Sequence, residues 1–106
     1  MAIKKNCKIH LQHRSERVEW IIDHIGLGTK IIASREWVDT SGKTCIRELT
    51  DTGVIICRTT DTNEVITMFV ATIMQIKAMY FGKIANWIYK MAIKNEKIMK
   101  EKNYPH

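Results

Sequence analysis

The sequence has few of the residues that interrupt or cross-link a folded chain. Proline occurs once, at Pro105, and glycine five times in 106 residues, so no Pro-rich or Gly-rich linker divides the chain. The three cysteines include no Cys-x-x-Cys pair, which argues against a disulfide framework and against a structural zinc site. We therefore expect buried free thiols in a reducing cytoplasm, with no metal and no cofactor.

Long apolar runs are also missing. The most apolar stretch, Val65 to Met74, is about half of the roughly 20 residues that a membrane-spanning helix needs. Lysines at positions 4, 5 and 8 interrupt the region where a signal peptide would be apolar. With 45% hydrophobic and 26% charged residues, the composition is that of one globular domain over residues 1–106. We expect a cytoplasmic protein that does not enter a membrane.

The charge is unevenly distributed along the chain. Lys and Arg total 17 and Asp and Glu total 11, a net charge of +6. Residues 1–17 have five basic groups and one acidic group, residues 18–82 have six and eight, and residues 83–106 have six and two. If the two basic ends meet in the fold, they form one positive surface of the kind that binds a polyanion. The alternative is a basic surface that keeps the protein soluble without a partner.

A helix is predicted over residues 15–25. Ser15 is a favoured N-cap residue, and Gly26 is a favoured helix terminator. Apolar side chains recur at i, i+3, i+4 and i+7 as a core stripe of Val18, Ile21, Ile22 and Ile25.

From Lys30 onward the period changes to two, which predicts a sheet over residues 30–69. The β-rich runs are Lys30–Val38, Lys43–Thr50, Gly53–Thr60 and Glu64–Phe69. Short connections rich in Asp, Asn, Gly, Ser and Thr separate them, and a parallel crossover needs far more residues. The sequence therefore predicts a four-stranded antiparallel meander.

Helical patterns return over residues 70–102. The segment Val70–Phe81 is apolar on most sides and is predicted to lie across the sheet, and a second helix follows from Lys83 to about Lys102. The apolar face of this second helix comprises Ile84, Trp87, Ile88 and Met91. The order helix, four strands, helix, helix is that of an α+β domain whose helices cover one face of the sheet.

Two sets of residues at helical spacing are candidates for binding nucleic acid. The first set follows the positions i, i+4, i+7 and i+11 and comprises His13, Arg17, Trp20 and His24. The second set, the lysine stripe, follows i, i+7, i+11 and i+14 and comprises Lys83, Lys90, Lys94 and Lys97. Cations suit phosphates and aromatic rings suit stacked bases. The alternatives are a Trp20 packed against the sheet and an ordinary solvated helix face.

Arginines in the β region form a third candidate. If the hairpin loops hold even numbers of residues, one sheet face carries Glu36, Arg47, Arg58 and Thr67. Arg35 and Trp37 then lie on the other face. Metal-independent ribonucleases need a proton acceptor, a proton donor and cations at the reacting phosphate, so the first face is a candidate catalytic surface. The alternative is ordinary cross-strand pairing, for example between Glu36 and Arg47.

Two segments are similar to segments of the small RelE/ParE-like ribonuclease-toxin domains. His10-Leu11-Gln12-His13-Arg14, followed by Arg17, is similar to their H-x-x-x-R segment, and Val65-Ile66-Thr67-Met68-Phe69 is similar to their closing strand. The likeness covers roughly residues 10–69. It implies a sheet that faces nucleic acid, and the candidate residues that it implies are His10, His13, Arg14, Arg17, Arg47, Arg58 and Thr67.

These features lead to two hypotheses. The first is a nucleic-acid-binding protein, with RNA favoured over DNA, in which ribonuclease activity would use His10 or His13 as the general base or acid while Arg47 and Arg58 hold the phosphate. The second is a non-enzymatic protein that resembles the inhibitors of phages and mobile elements, including anti-CRISPR-like ones. Such a protein would occupy the nucleic-acid channel of a nucleic-acid-binding partner or form a homodimer through the C-terminal helix.

Overall fold

The fold is a four-stranded sheet with helices before and after it. The computed structural model describes residues 16–38, 40–80 and 83–105. Its helices are α1 (residues 16–24), α2 (Ile73–Met79) and α3 (Asn86–Glu101). Its strands are β1 (Ile31–Val38), β2 (Thr44–Thr50), β3 (Val54–Thr59) and β4 (Val65–Val70). The predicted α+β class is confirmed, and no helix within the described ranges is long and apolar enough to cross a membrane.

The strands form an antiparallel meander in the order β1-β2-β3-β4, as the sequence predicts. Each strand begins and ends within one residue of its predicted run. Turn chemistry sets these bounds: Gly42 and Gly53 both have positive φ, at 85° and 89°, in the loops on either side of β2. Glycine adopts this conformation without the steric cost that a Cβ atom adds.

The hairpin loops hold odd numbers of residues, which sets the register of the sheet. Residues 39–43 join β1 to β2, and residues 51–53 join β2 to β3. The second loop is the three-residue type that ends in a left-handed residue, here Gly53. Arg47 is therefore opposite Arg35 on β1 and Cys57 on β3, and Arg58 is opposite Ile46.

The prediction that Glu36, Arg47, Arg58 and Thr67 share one face is wrong. Thr67 is opposite Cys57 and so shares a face with Arg47, together with Arg35 and Trp37. Glu36 and Arg58 lie on the reverse face, since both are opposite Ile46. The reason is loop length, because the prediction assumed even loops and a shift of one residue exchanges the two faces.

Both faces of the sheet are covered, which corrects the expectation of a single covered face. On one side, the α2 face, Leu49, Ile55 and Cys57 pack with Ile76 of α2 and Ile88 of α3. On the other side, the α1 face, the buried residues of strands and helix are Val54, Met68, Val70, Trp20 and Ile21. The predicted buried free thiols are confirmed for Cys45 and Cys57, while Cys7 lies outside the described residues.

Helix α2 is shorter than predicted at both ends. Thr72 is its N-cap: the Thr72 hydroxyl accepts from the backbone N–H of Gln75, and the Gln75 side chain accepts from the backbone N–H of Thr72 at 2.8 Å. This capping box satisfies two N–H groups that a helix start leaves free. Val70 therefore stays in β4, and the helix ends at Met79.

The apolar stripes of the other helices are partly as predicted. In α1, Ile21 is fully buried, but Ile22 is 54% exposed, so its assignment to the core is wrong. In α3 the buried side chains are Ile88, Ala92 and Asn95. Trp87 is 50% exposed and its assignment to the core is also wrong, because it lies roughly 100° around the helix from Ile88.

The tip of the β2–β3 hairpin holds α3 against the sheet. Asn95 is buried and donates from Nδ2 to the Thr52 carbonyl at 2.8 Å. A Cβ atom on Gly53 would lie 2.5 Å from that same Nδ2. The Thr52 hydroxyl donates to the Gly26 carbonyl at 2.7 Å. Through these two hydrogen bonds, the β2–β3 turn links α3 to the residues that follow α1.

The segments at the two ends of the described chain meet on the α1 face. The basic residues before position 16, on which the prediction of a shared positive surface depends, lie outside the described residues. The Trp20 indole N–H donates to the Lys102 carbonyl at 2.8 Å, and the rings of Trp20 and Tyr104 meet edge to face with centroids 4.8 Å apart. The Tyr104 hydroxyl accepts from the backbone N–H of Val70 at 3.0 Å. Tyr104 thus connects the chain end after α3 to the last residue of β4.

We predict that Gly53→Ala destabilises the protein much more than Gly42→Ala. Both glycines have positive φ, but a Cβ at Gly42 would meet nothing within 4 Å, so that variant should lose only about 1 kcal/mol. At Gly53 the Asn95 amide must also move, and the lost buried hydrogen bond should add about 1–3 kcal/mol. Urea unfolding measures both values, and equal losses would contradict the close approach of α3 to this turn.

Tyr104→Phe is expected to lower the free energy of unfolding at pH 7 by about 1–3 kcal/mol, because it leaves the buried Val70 N–H without an acceptor. Tyr89→Phe removes a hydroxyl from a partly buried position of α3. It should change stability by less than about 0.5 kcal/mol. A loss at Tyr104 no larger than at Tyr89 would contradict this role.

The pH dependence of the same pair gives a further check. Burial raises the pKa of the Tyr104 hydroxyl above its ordinary value, so the folded state favours the neutral phenol. That contribution is fully present below the ordinary tyrosine value near 10 and is lost as the pH rises through the raised value. The stability difference between wild type and Tyr104→Phe should therefore narrow in alkaline solution.

Candidate nucleic-acid interface

Three members of the lysine stripe, Lys90, Lys94 and Lys97, form an open cationic edge along α3. The helix begins at Asn86 and not at Lys83 as predicted, so Lys83 lies in the segment just before it. All four members, Lys83, Lys90, Lys94 and Lys97, are exposed. Among the described residues the ion pairs join Arg58 to Glu48 and Lys100 to Glu96, so none of the four is neutralised by a carboxylate there. Glu101 follows Lys97 by four residues and marks the acidic end of the stripe. Such a row of free ammonium groups suits a run of phosphates.

Trp87 adds an aromatic surface beside these lysines. It is half-exposed and borders, with Lys90 and Lys94, a shallow groove of about 330 Å³ between α3 and the β2–β3 turn. On α3, Trp87, Lys90 and Lys94 follow the spacing i, i+3, i+7, which places the indole on the side of the helix that carries the lysines. This neighbourhood is the sequence signal that could have identified Trp87 as a surface residue.

The opposite wall of this groove carries the Asp51 carboxylate, which is held by backbone groups. Asp51 accepts from the backbone N–H of Thr29 at 2.9 Å and also from that of Lys30. The Thr29 hydrogen bond in particular lowers the pKa of the Asp51 carboxyl below its ordinary value. The groove is thus cationic on its α3 side and anionic on its turn side, which directs a bound phosphate toward the lysines.

The first predicted set is not a binding surface in its described part. Trp20 is buried against Tyr104, so its ring is not available to stack on a base, and the alternative of a Trp20 packed against the sheet is the observed one. Arg17 is partly buried and donates to the Thr67 hydroxyl at 2.9 Å. His24 is exposed and lies 4.8 Å from the Trp20 ring, and His13 lies outside the described residues.

The described part of α1 is acidic, although the N-terminal region as a whole is basic. Its exposed side chains include Glu16, Glu19 and Asp23, and Arg17 is its one basic residue. The two ends of the described chain lie close together. Among the described residues, the positive charge near these ends comes from the lysines of α3 and not from α1. The basic N-terminal residues before position 16, including Arg14, lie outside the described ranges.

The predicted catalytic arginines are separated and differently engaged. Arg58 lies on the α1 face, where it forms an ion pair with Glu48 at 2.5 Å and donates to the Asn63 side chain. Arg47 lies on the α2 face with its guanidinium over the Trp37 ring, 4.6 Å from the centroid. The two groups cannot hold one phosphate from opposite sides of a sheet. Thr67 is on the α2 face of the edge strand β4, and its hydroxyl accepts a hydrogen bond from the Arg17 guanidinium.

The remaining predicted residues fall outside the described part of the chain. These are His10, His13 and Arg14. Within the described residues, no three His, Cys, Asp or Glu side chains come together as a metal site would require. A general base or acid for ribonuclease chemistry therefore stays a prediction from the sequence.

Comparison of the chain with protein-family models, with curated proteins and with solved structures gave no match. The resemblance to RelE/ParE-like domains therefore stays an interpretation of short sequence segments. The function that follows rests on the geometry of the described residues alone.

Proposed function

We propose that this protein binds single-stranded nucleic acid, with RNA favoured, along the lysine stripe and Trp87 of α3. The observation that carries the proposal is the combination of four exposed lysines that no described carboxylate pairs with and a half-exposed tryptophan among them. Proteins that bind single strands combine these two elements, since cations follow the phosphates and aromatic rings stack on the bases.

The charge pattern supports a polyanion partner. Residues 83–106 have six basic and two acidic groups, and one acidic group, Glu96, is 3.9 Å from Lys100 on another side of the helix. Each phosphate contact to a single strand contributes about 0.7 to the slope of log affinity against log salt. Four contacts would therefore give a slope of roughly −3.

The exposed indole favours a single strand over a duplex. A base can stack on Trp87 only if it is not already stacked within a helix, and unpaired bases of single strands meet that condition. A duplex would still contact the lysines through its phosphates, but the tryptophan would add nothing to that contact. Substitution of Trp87 should therefore weaken binding of a single strand and leave binding of a duplex unchanged.

The proposed function is RNA binding, and the proposal does not include cleavage of RNA by residues of the sheet. Ribonuclease chemistry as predicted needed Arg47 and Arg58 at one phosphate, and they lie on opposite faces. RNA incubated with the protein in EDTA should stay intact. Cleavage that disappears in His10→Ala or His13→Ala would overturn this part of the proposal and restore the enzymatic hypothesis.

The competing hypothesis of a protein inhibitor has one observation in its favour. The exposed side of α1 carries Glu16, Glu19 and Asp23, and an acidic helix face can enter an electropositive nucleic-acid channel. The α3 face would be repelled from such a channel. If the protein has no measurable affinity for RNA at low salt, the inhibitor hypothesis is favoured, with the acidic side of α1 as the contact surface.

We predict that Lys90→Gln with Lys94→Gln weakens RNA binding and reduces its salt dependence. Loss of two phosphate contacts should lower the salt slope by about 1.4 and the affinity at low salt by about tenfold. Fluorescence anisotropy with a labelled oligouridine at several salt concentrations measures both. The control, Lys77→Gln with Lys100→Gln, removes the same charge from outside the stripe, and an equal effect of both doubles would contradict a defined interface.

A second prediction concerns the aromatic part of the interface. Trp87→Ala should lower affinity for oligouridine by about 1–3 kcal/mol while leaving the salt slope unchanged, because stacking releases no counterions. Ile93→Ala shortens another exposed apolar side chain of α3 and should have no effect. Unchanged affinity in Trp87→Ala would leave only a non-specific electrostatic contact.

A further inference from the structure

A second cationic and aromatic groove lies on the α2 face, near the β1–β2 end of the sheet. Its volume is about 480 Å³, within the range of small-ligand sites. Strands β1 and β2 supply Arg35, Trp37 and Arg47 to its floor, and Met74 and Ala78 of α2 form the facing wall. It shares no lining residue with the groove beside Trp87.

The two arginines of this groove are directly opposite each other across the strands. Arg35 and Arg47 are Cα partners in the β1–β2 ladder, so their side chains leave the same face side by side. Two guanidinium groups side by side can both reach one bound anion, and their forked N–H groups suit phosphate oxygens better than an ammonium does.

Both guanidinium groups are held in place by other contacts. Arg35 donates from Nη1 to the Ala78 carbonyl at 2.5 Å, in the last turn of α2, where the helix dipole favours a cation. Arg47 lies over the indole of Trp37 at 4.6 Å, and the ion pairs of the described residues leave it without a carboxylate partner. A preorganised pair of cations loses little freedom when an anion binds.

The groove also offers flat and apolar surface. The outer plane of a guanidinium stacked on an indole can itself stack on a nucleobase. Met74 is 73% exposed on the facing wall, and its flexible thioether adapts to aromatic ligands. Glu36 also lines the groove, but its side chain leaves the opposite face of the sheet from Arg35 and Trp37.

We propose that the groove lined by Arg35, Trp37 and Arg47 binds a nucleoside monophosphate group, with the phosphate between the arginines and the base against the Arg47–Trp37 stack. The same chemistry is offered by a free nucleotide and by the 5′-phosphorylated end of a strand. Binding here does not depend on the lysine stripe, since the two surfaces have no residue in common.

The test is titration with uridine monophosphate and adenosine monophosphate, followed by calorimetry and by the indole N–H resonance of Trp37. The nucleotides should bind at least tenfold more tightly than uridine or inorganic phosphate alone, and the Trp37 resonance should shift. Nucleotides that bind no better than inorganic phosphate would overturn the proposal.

Variants separate the charge from the stacking surface. Arg47→Gln, at an exposed position, should weaken nucleotide binding about tenfold, whereas Arg47→Lys should keep inorganic phosphate binding and lose the preference for nucleotides. Lys77→Gln removes one exposed charge of α2 that does not line the groove and should bind as wild type does. Equal losses in Arg47→Gln and Lys77→Gln would also overturn the proposal.

Two further measurements distinguish a free nucleotide from a 5′-phosphorylated strand end as the source of the phosphate. If a 5′-phosphorylated oligouridine binds more tightly than the unphosphorylated one and Arg47→Gln removes the difference, the occupant is a strand end. If free nucleotide binds but the 5′-phosphate has no effect, the occupant is a free nucleotide. The Lys90→Gln, Lys94→Gln protein should still bind nucleotide in either case, so a failed lysine stripe and a failed groove give different results.

Discussion

The absence of a side chain at Gly53 lets the β2–β3 turn approach α3 closely enough for a buried hydrogen bond. Asn95 donates to the Thr52 carbonyl, while the Thr52 hydroxyl reaches back to Gly26 and the Gly53 carbonyl accepts from the backbone N–H of Ala71. One three-residue turn thus contacts the segments that follow α1 and β4 as well as α3. Its odd length also sets the register of β2 against β3, and so decides which side chains share a face.

That register gives the two sheet arginines different surroundings. Arg58 is satisfied by Glu48 on the α1 face, as a partly buried cation must be. Arg47 is instead exposed beside Arg35 and supported by an aromatic ring. Within residues 16–38, 40–80 and 83–105, positive charge is therefore presented on two separate surfaces, the edge of α3 and the groove under α2, and not on a single sheet face.

The sequence was sufficient to locate the strands but not to predict how neighbouring strands are aligned. Alternating runs and turn residues locate all four strands, because strand bounds depend on local chemistry. Face assignment depends on whether a loop has an odd or even count, which local chemistry leaves open at the β1–β2 turn. Trp20 and Trp87 exchange their expected roles for a similar reason. Each lies at the margin of a helical stripe, and only the packing partner, Tyr104 for Trp20, decides which one is covered.

Both outer strands of the sheet have a backbone group bonded to a tyrosine hydroxyl. On β4 the N–H of Val70 donates to Tyr104, and on β1 the carbonyl of Ile32 accepts from Tyr80 at 3.2 Å. Exposed strand margins are where a β-rich domain recruits further strands and begins to aggregate. Each phenol holds one backbone group of its edge strand, so a strand that paired at that point would first have to displace the tyrosine hydroxyl.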